Sequence, residues 1–280
     1  MTYKKILENQ YYVLVRGKEG LFLANKNDRF IGRALIEYGE FSDIQWNRMK
    51  PFLNSGDVII DVGANIGGHT ISFANHVGAN GEVWAFEPQP IIFQNLCANV
   101  ALNALQNVKT FLAGCGAEAK NIEIPFIDYN QRHNFGSLGI DDYDDKNKLI
   151  KAAQNIPIMR LDDVFNADRL AMIKIDVEGM ELQVLKGAEN IIKEFKPVLY
   201  VENDREDLSA ELLSYILDLG YEAWWDRPSL FNPDNFAGKT DNVLGNFMTT
   251  NNICIHKDAG IHFNTDAAKV NTVSDRPFKR

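Results

Sequence analysis

Short apolar runs and helically spaced apolar stripes alternate along most of this chain. Val58–Val62 (VIIDV), Glu82–Phe86 (EVWAF), Val108–Leu112, Ala171–Ile175 and Pro197–Val201 have the length and side chains of buried strands. Between them, Thr70–Val77, Ile91–Leu102 (Ile92, Leu96 and Val100 on one face), Met180–Phe195 (Val184, Ala188, Ile191, Phe195) and Leu208–Leu219 repeat at helical spacing. Gly220 stops the last of these. Strands alternating with helices predict an α/β fold with a parallel sheet covered on both faces. Tyr221–Trp225 and Ile253–His256 predict a closing antiparallel pair. Ahead of this unit, Tyr11–Val15 and Leu21–Ala24 around a Gly-Lys-Glu-Gly turn predict a β-hairpin, and Ile31–Leu53 predicts helix in two pieces. Ile122–Ile127 and Ile156–Arg160 predict two further strands flanking a polar insertion at 128–155. The expected organisation is a hairpin and helical extension over 1–54, the main α/β domain over 55–257 and a polar, fraying tail over 258–280.

Composition narrows the class. A chain of 280 residues, 45% hydrophobic and 24% charged, suits one large soluble α/β domain with additions. The net charge of -9, with no basic run, disfavours nucleic acid as a partner. Cys97, Cys115 and Cys254 are far apart and form no metal spacing, as expected of reduced thiols in the cytoplasm. No apolar run approaches the roughly 20 residues a membrane span needs, and MTYKKILENQYY lacks the apolar core of a signal peptide. The expectation is a cytoplasmic protein with no membrane partner.

The chemistry concentrates after the first strand of the α/β unit, where Asp61, Gly63, Asn65, Gly67 and Gly68 form a strand-loop-helix turn. Glycine permits positive φ and close approach of a ligand, and the following helix offers free N–H groups. A dinucleotide fingerprint places glycine where Asn65 stands, and the Asp61 carboxylate would repel a pyrophosphate. An acid there suits a ligand with an ammonium and a sulfonium, such as S-adenosylmethionine. Glu87 closes the second strand, roughly 20 residues beyond the glycines, where a carboxylate accepts hydrogen bonds from ribose hydroxyls. Asp61, Glu87, Asp176 and Glu202 each end a strand and are expected to converge on one crevice. The competing readings are an NAD-dependent oxidoreductase or epimerase, which Asn65 and Asp61 weigh against, and a non-catalytic binding module, which the four acids weigh against.

DVGANIG (Asp61–Gly67), FEP (Phe86–Pro88) and IDVEGMELQVLKGA (Ile175–Ala188) together resemble the FkbM family of S-adenosylmethionine-dependent methyltransferases. The resemblance runs from about Asn27 to Lys257 and includes NDRFIGRALIEYGEF and a late NF…NN segment. It implies the Rossmann-like class I methyltransferase fold, a mostly parallel seven-stranded sheet with a reversed last strand. It also implies O-methylation of a sugar or another small molecule. Carried onto this chain, it assigns Asp61, Gly63, Asn65 and Gly67 to the methionine part of the cofactor and Glu87 to the ribose. Gly114, Cys115 and Gly116 fall at the adenine contact, although AGCG departs from the family's alanine-leucine-glycine-acid pattern. His69 receives no family role.

An alcohol acceptor must lose its proton or have its oxygen polarised. Asp176, Glu178 and His133 are the candidate bases, His133 on condition that the insertion folds over as a lid. Alternatively, Asp176, Glu202 and Asn203 offer oxygen donors for magnesium, resembling the Asp…Asp-Asn set of catechol-type O-methyltransferases with glutamate in place of one aspartate. Asp141–Asp145 reads as a solvated acidic loop. Arg227–Asn252 is long enough for a binding loop, and Trp224, Trp225, Phe231 and Phe236 are candidates to stack on a carbohydrate or small-molecule acceptor.

Overall fold

A computed structural model describes residues 2–125, 127–136, 153–263, 265 and 267–277. Three antiparallel strands come first: β1 (Lys4–Glu8), β2 (Tyr12–Arg16) and β3 (Leu21–Asn25). The β2–β3 hairpin is where the sequence places it. β1 carries no alternating pattern because all five side chains are exposed. It is defined by backbone pairing to β2 alone. The predicted helix divides into α1 (Ile31–Tyr38) and α2 (Asp43–Met49), broken where Gly39 turns to φ 69°.

The α/β unit then runs β4 (Val58–Val62), α3 (Gly68–Val77), β5 (Glu82–Phe86), α4 (Pro90–Leu102) and β6 (Val108–Phe111). A side sheet follows from β7 (Gly114–Cys115), β8 (Lys120–Pro125) and β9 (Ala153–Met159). After the short α5 (Leu161–Val164) come β10 (Met172–Ile175), α6 (Glu181–Lys186), α7 (Glu189–Phe195), β11 (Val198–Glu202), α8 (Ser209–Asp218), β12 (Tyr221–Asp226) and β13 (Asn251–His256). The main sheet has the order β12-β13-β11-β10-β4-β5-β6. Neighbours from β11 to β6 pair in parallel, and β13 runs antiparallel to both β11 and β12. Chain order reverses between β4 and β10, so a crevice opens at their carboxyl ends.

Side-chain alternation decides what covers each face. Val58, Ile60 and Val62 turn to one face with Val184 and Leu185 of α6, Ile192 of α7 and Leu212 and Ile216 of α8. Ile59 turns to the other with Trp46 and Met49 of α2 and Phe73 and Val77 of α3. The N-terminal sheet buries Val13, Val15, Phe22 and Ala24 against α1, Ile71 of α3, Ile92 of α4, and Phe135. Residues 127–136 are stitched to this extension: His133 N–H donates to Asn27 O and Arg29 N–H to His133 O, both at 3.0 Å. The Asp141–Asp145 run and the rest of 137–152 lie outside the described residues.

Two expectations change. Met180–Phe195 is two helices, because Gly187 is pressed on the Gly116 carbonyl: a Cβ there would lie 2.0 Å from that oxygen. The tail does not simply fray. Trp225 N–H donates to Ala268 O and Val270 N–H to Ala223 O, which lays 268–270 along the free edge of β12 with Val270 buried. Among the described residues no helix is long and apolar enough to cross a membrane.

Candidate active site

A cleft opens at the carboxyl ends of β4, β5 and β10. Of the residues singled out in the sequence, Gly63, Asn65, Glu87, Gly114, Cys115, Asp176 and Glu178 line it. Gly63 has φ 76°, and a Cβ there would lie 1.8 Å from the Asp176 carbonyl oxygen. Only glycine lets the loop and the end of β10 meet. Asn65 adopts φ 50°, a region Asn tolerates better than most residues. Its N–H donates to Glu87 Oε2 at 2.9 Å, and Gln89 N–H donates to Glu87 Oε1 at 2.8 Å. The Glu87 carboxyl is thus fixed by two backbone donors while it borders the cleft. Burial pushes it up to about 7, and the two hydrogen bonds pull the other way.

Gln89 also lines the cleft and is a residue the motifs pass over. It donates to Phe135 O at 3.0 Å and accepts from Tyr129 Oη at 2.8 Å. Those bonds, with Ile31 and Gly136 in the lining, build one wall of the cleft from α1 and the 127–136 segment. The available signal was its place directly after FEP.

Asp176, Glu178 and Glu202 form an acidic group in which each offers an oxygen within 4.8 Å of the others. Glu178 holds φ 57° and accepts from Arg205 Nη2 at 3.4 Å. Burial, followed by repulsion from Asp176 and Asp204, pushes its carboxyl up to about 8. Glu202 is 8% exposed, and its Oε2 has no hydrogen-bond partner among the described residues. Burial and then Asp176 and Glu178 raise its pKa well above the carboxylate range. The group is a set of hard oxygens able to accept a proton or hold a divalent cation. Glu178 joins Asp176 and Glu202 in this group, and Asn203, the third donor expected from the sequence, follows Glu202 in the chain. Asn203 donates to Asn252 Oδ1 at 2.7 Å and lines a separate hollow with Asp204 and Arg276.

Other residues singled out in the sequence lie outside the lining of this cleft. Asp61 does not reach the crevice: it is fully buried, accepts from Thr70 Oγ1 at 2.6 Å, and lies 3.2 Å from Lys174 Nζ. Gly67 and Gly116 lie outside the lining, Gly67 at the start of α3 and Gly116 behind Gly114 and Cys115, both of which do line it. His133 is not among the residues that line the cleft. Its Nδ1 faces Asn134 O at 3.0 Å and its ring stacks on Phe135, because its backbone is tied to Asn27 and Arg29. Trp224, Trp225, Phe231 and Phe236 are also absent from the lining. Trp224 packs on Phe263 and Phe231 on Tyr38. Lys174 was missed. Its signal was a lysine inside an apolar strand, where a charge needs a buried partner.

A mostly parallel seven-stranded sheet with reversed β13 between β11 and β12, and a cleft at the β4/β10 switch point, define the Rossmann-like class I methyltransferase fold. The family model described as the methyltransferase FkbM domain matches residues 61–223, and the chain belongs to that family. It is 26% identical over 216 residues to methyltransferase sdnD of Sordaria araneosa, covering 66% of this chain and 81% of sdnD. It is 28% identical over 170 residues to the hexuronic acid methyltransferase AglP of Haloferax volcanii, covering 60% of this chain and 59% of AglP. A solved methyltransferase FkbM from Methylobacillus flagellatus KT superposes with a TM-score of 0.48 at 21% identity, over 72% of this chain and 44% of that one. Membership in a methyltransferase family removes the oxidoreductase reading.

Proposed function

We propose that this protein transfers a methyl group from S-adenosylmethionine to a hydroxyl oxygen of a sugar or another small molecule. The observation that carries the reading is Glu87, held at the tip of β5 by Asn65 and Gln89 N–H groups and bordering the cleft. A carboxylate fixed there is disposed to receive the two ribose hydroxyls of a nucleoside. Gly63 and Asn65 would follow the methionine part and Gly114 and Cys115 the adenine. In the reaction the acceptor oxygen attacks the methyl carbon in line, the carbon–sulfur bond breaks, and its electron pair returns to sulfur as a neutral thioether. Holding the two reactants aligned supplies about 7–11 kcal/mol of barrier lowering at best. The acceptor proton passes to Glu178, with Asp176 beside it in the cleft. The name of one relative, the hexuronic acid methyltransferase AglP, supports a sugar as the acceptor.

The acidic group favours a second mode of activation. A divalent cation such as magnesium, held by Asp176, Glu178 and Glu202, would lower the acceptor's pKa. Incubation with methyl-labelled donor and a panel of neutral sugars, uronic acids and aliphatic alcohols tests both modes. Label on an acceptor oxygen is expected. Donor binding without transfer to any panel member would contradict the enzymatic reading for these acceptors. Full turnover in excess chelator would leave Glu178 as the activator, and loss restored by magnesium would select the cation.

A further inference from the structure

Lys174 is a buried charge with no task in the mechanism above. It lies beside Asp61 in the β4–β10 register, and its side chain is 4% exposed. Nζ is 3.2 Å from Asp61 Oδ1 and 3.6 Å from Asp176 Oδ2, and it donates to the Gly63 carbonyl at 3.2 Å. Gly63 and Asp176 line the cleft, whereas Lys174 and Asp61 do not. The ammonium therefore contacts two groups of the cleft lining and is itself braced by a buried carboxylate outside that lining. Burial opposes its charge, but Asp61 and Asp176 outweigh burial and hold its pKa above the usual lysine value. With both acids ionised, the three side chains sum to one negative charge.

We propose that Asp61 cancels the buried Lys174 charge and so leaves the cleft floor with the negative charge of Asp176, and that Lys174 is a positioning residue for Asp176 and the Gly63 carbonyl, so that the cleft prefers a cationic sulfonium donor to its neutral thioether product. This rests on the S-adenosylmethionine reading. Donor and product share the ammonium, the carboxylate, the ribose and the adenine, and differ in the methyl group and the charge on sulfur. The ratio of their affinities therefore reports the field at the sulfur. A buried Asp61 serving the fold alone would change both affinities together and leave the ratio fixed.

Calorimetric titration of the full chain with S-adenosylmethionine and S-adenosylhomocysteine separates these cases. In Asp61→Asn the sum becomes zero, and the donor-to-product affinity ratio is expected to fall about tenfold, the size of one charge acting through a partly buried site. In Asp61→Asn/Lys174→Met the sum returns to minus one. The ratio is expected to recover to within about twofold of wild type, while both ligands bind several-fold more weakly because Asp176 and Gly63 have lost their anchor. The double variant has no unpaired buried charge and keeps the test alive if the single variant fails to fold. An unchanged ratio in Asp61→Asn, or a double variant whose ratio stays depressed, would overturn the proposal while leaving the cofactor reading intact. Wild-type protein that binds neither ligand would remove both.

Discussion

At the scale of single residues, environment separates acids that look alike in sequence. Glu178 is placed to take the acceptor proton because burial, Asp176 and Asp204 bring its carboxyl up to about 8, a stronger base once ionised than an ordinary glutamate. Turnover at saturating acceptor is expected to rise as pH passes through about 8. Glu178→Gln is expected to lower kcat by about 100-fold or more and abolish that rise; a variant with wild-type kcat and pH profile would move the base elsewhere. Glu87 makes a separate prediction. Burial raises its folded pKa to about 7 from the ordinary glutamate value of 4.5, so the stability it contributes is complete below 4.5 and is lost as pH rises through 7. The gap in melting temperature between wild type and Glu87→Gln should therefore change across pH 5 to 7.5, with wild type losing ground as pH rises. A gap constant over that range would show that burial does not hold the proton. Glu87 was legible in sequence because a strand end fixes where a side chain goes. The surroundings of Asp61 were not, because its neutralising partner comes from β10, and only sheet register brings the two together.

At the scale of elements, what was legible is what is encoded locally. β4 and β5 have the predicted ends because their apolar runs are bounded by turns and acids. β1, the α6–α7 break and the docked tail were not legible, since each depends on a distant partner: β2, the Gly116 carbonyl and the edge of β12. The loop joining β4 to α3 permits a direct test of such a contact. Gly63→Ala adds a methyl 1.8 Å from the Asp176 oxygen on top of an unfavourable φ of 76°, while Gly238→Ala, at φ 67°, meets nothing within 4 Å among the described residues. Urea denaturation should give a cost of about 1 kcal/mol for Gly238→Ala and about 3 kcal/mol or more for Gly63→Ala. Equal costs would mean that the loop and β10 are not in forced contact.

At the scale of the whole molecule, the cleft is a joint product of parts that are separate in sequence. The sheet supplies Glu87 and Asp176 at strand ends, α1 supplies Ile31, and the 127–136 segment supplies Gly136 and clamps Gln89. The claim on which the functional reading depends is that this cleft holds S-adenosylmethionine, and thermal denaturation with and without ligand addresses it directly. At 100 times its dissociation constant the donor should add about 2.7 kcal/mol of stability, with S-adenosylhomocysteine also stabilising and NAD leaving the melting temperature unchanged. Glu87→Ala should fold and lose most of the donor's effect. A wild-type melting temperature that neither adenosyl compound shifts, or that NAD alone raises, would contradict the assignment of the cleft.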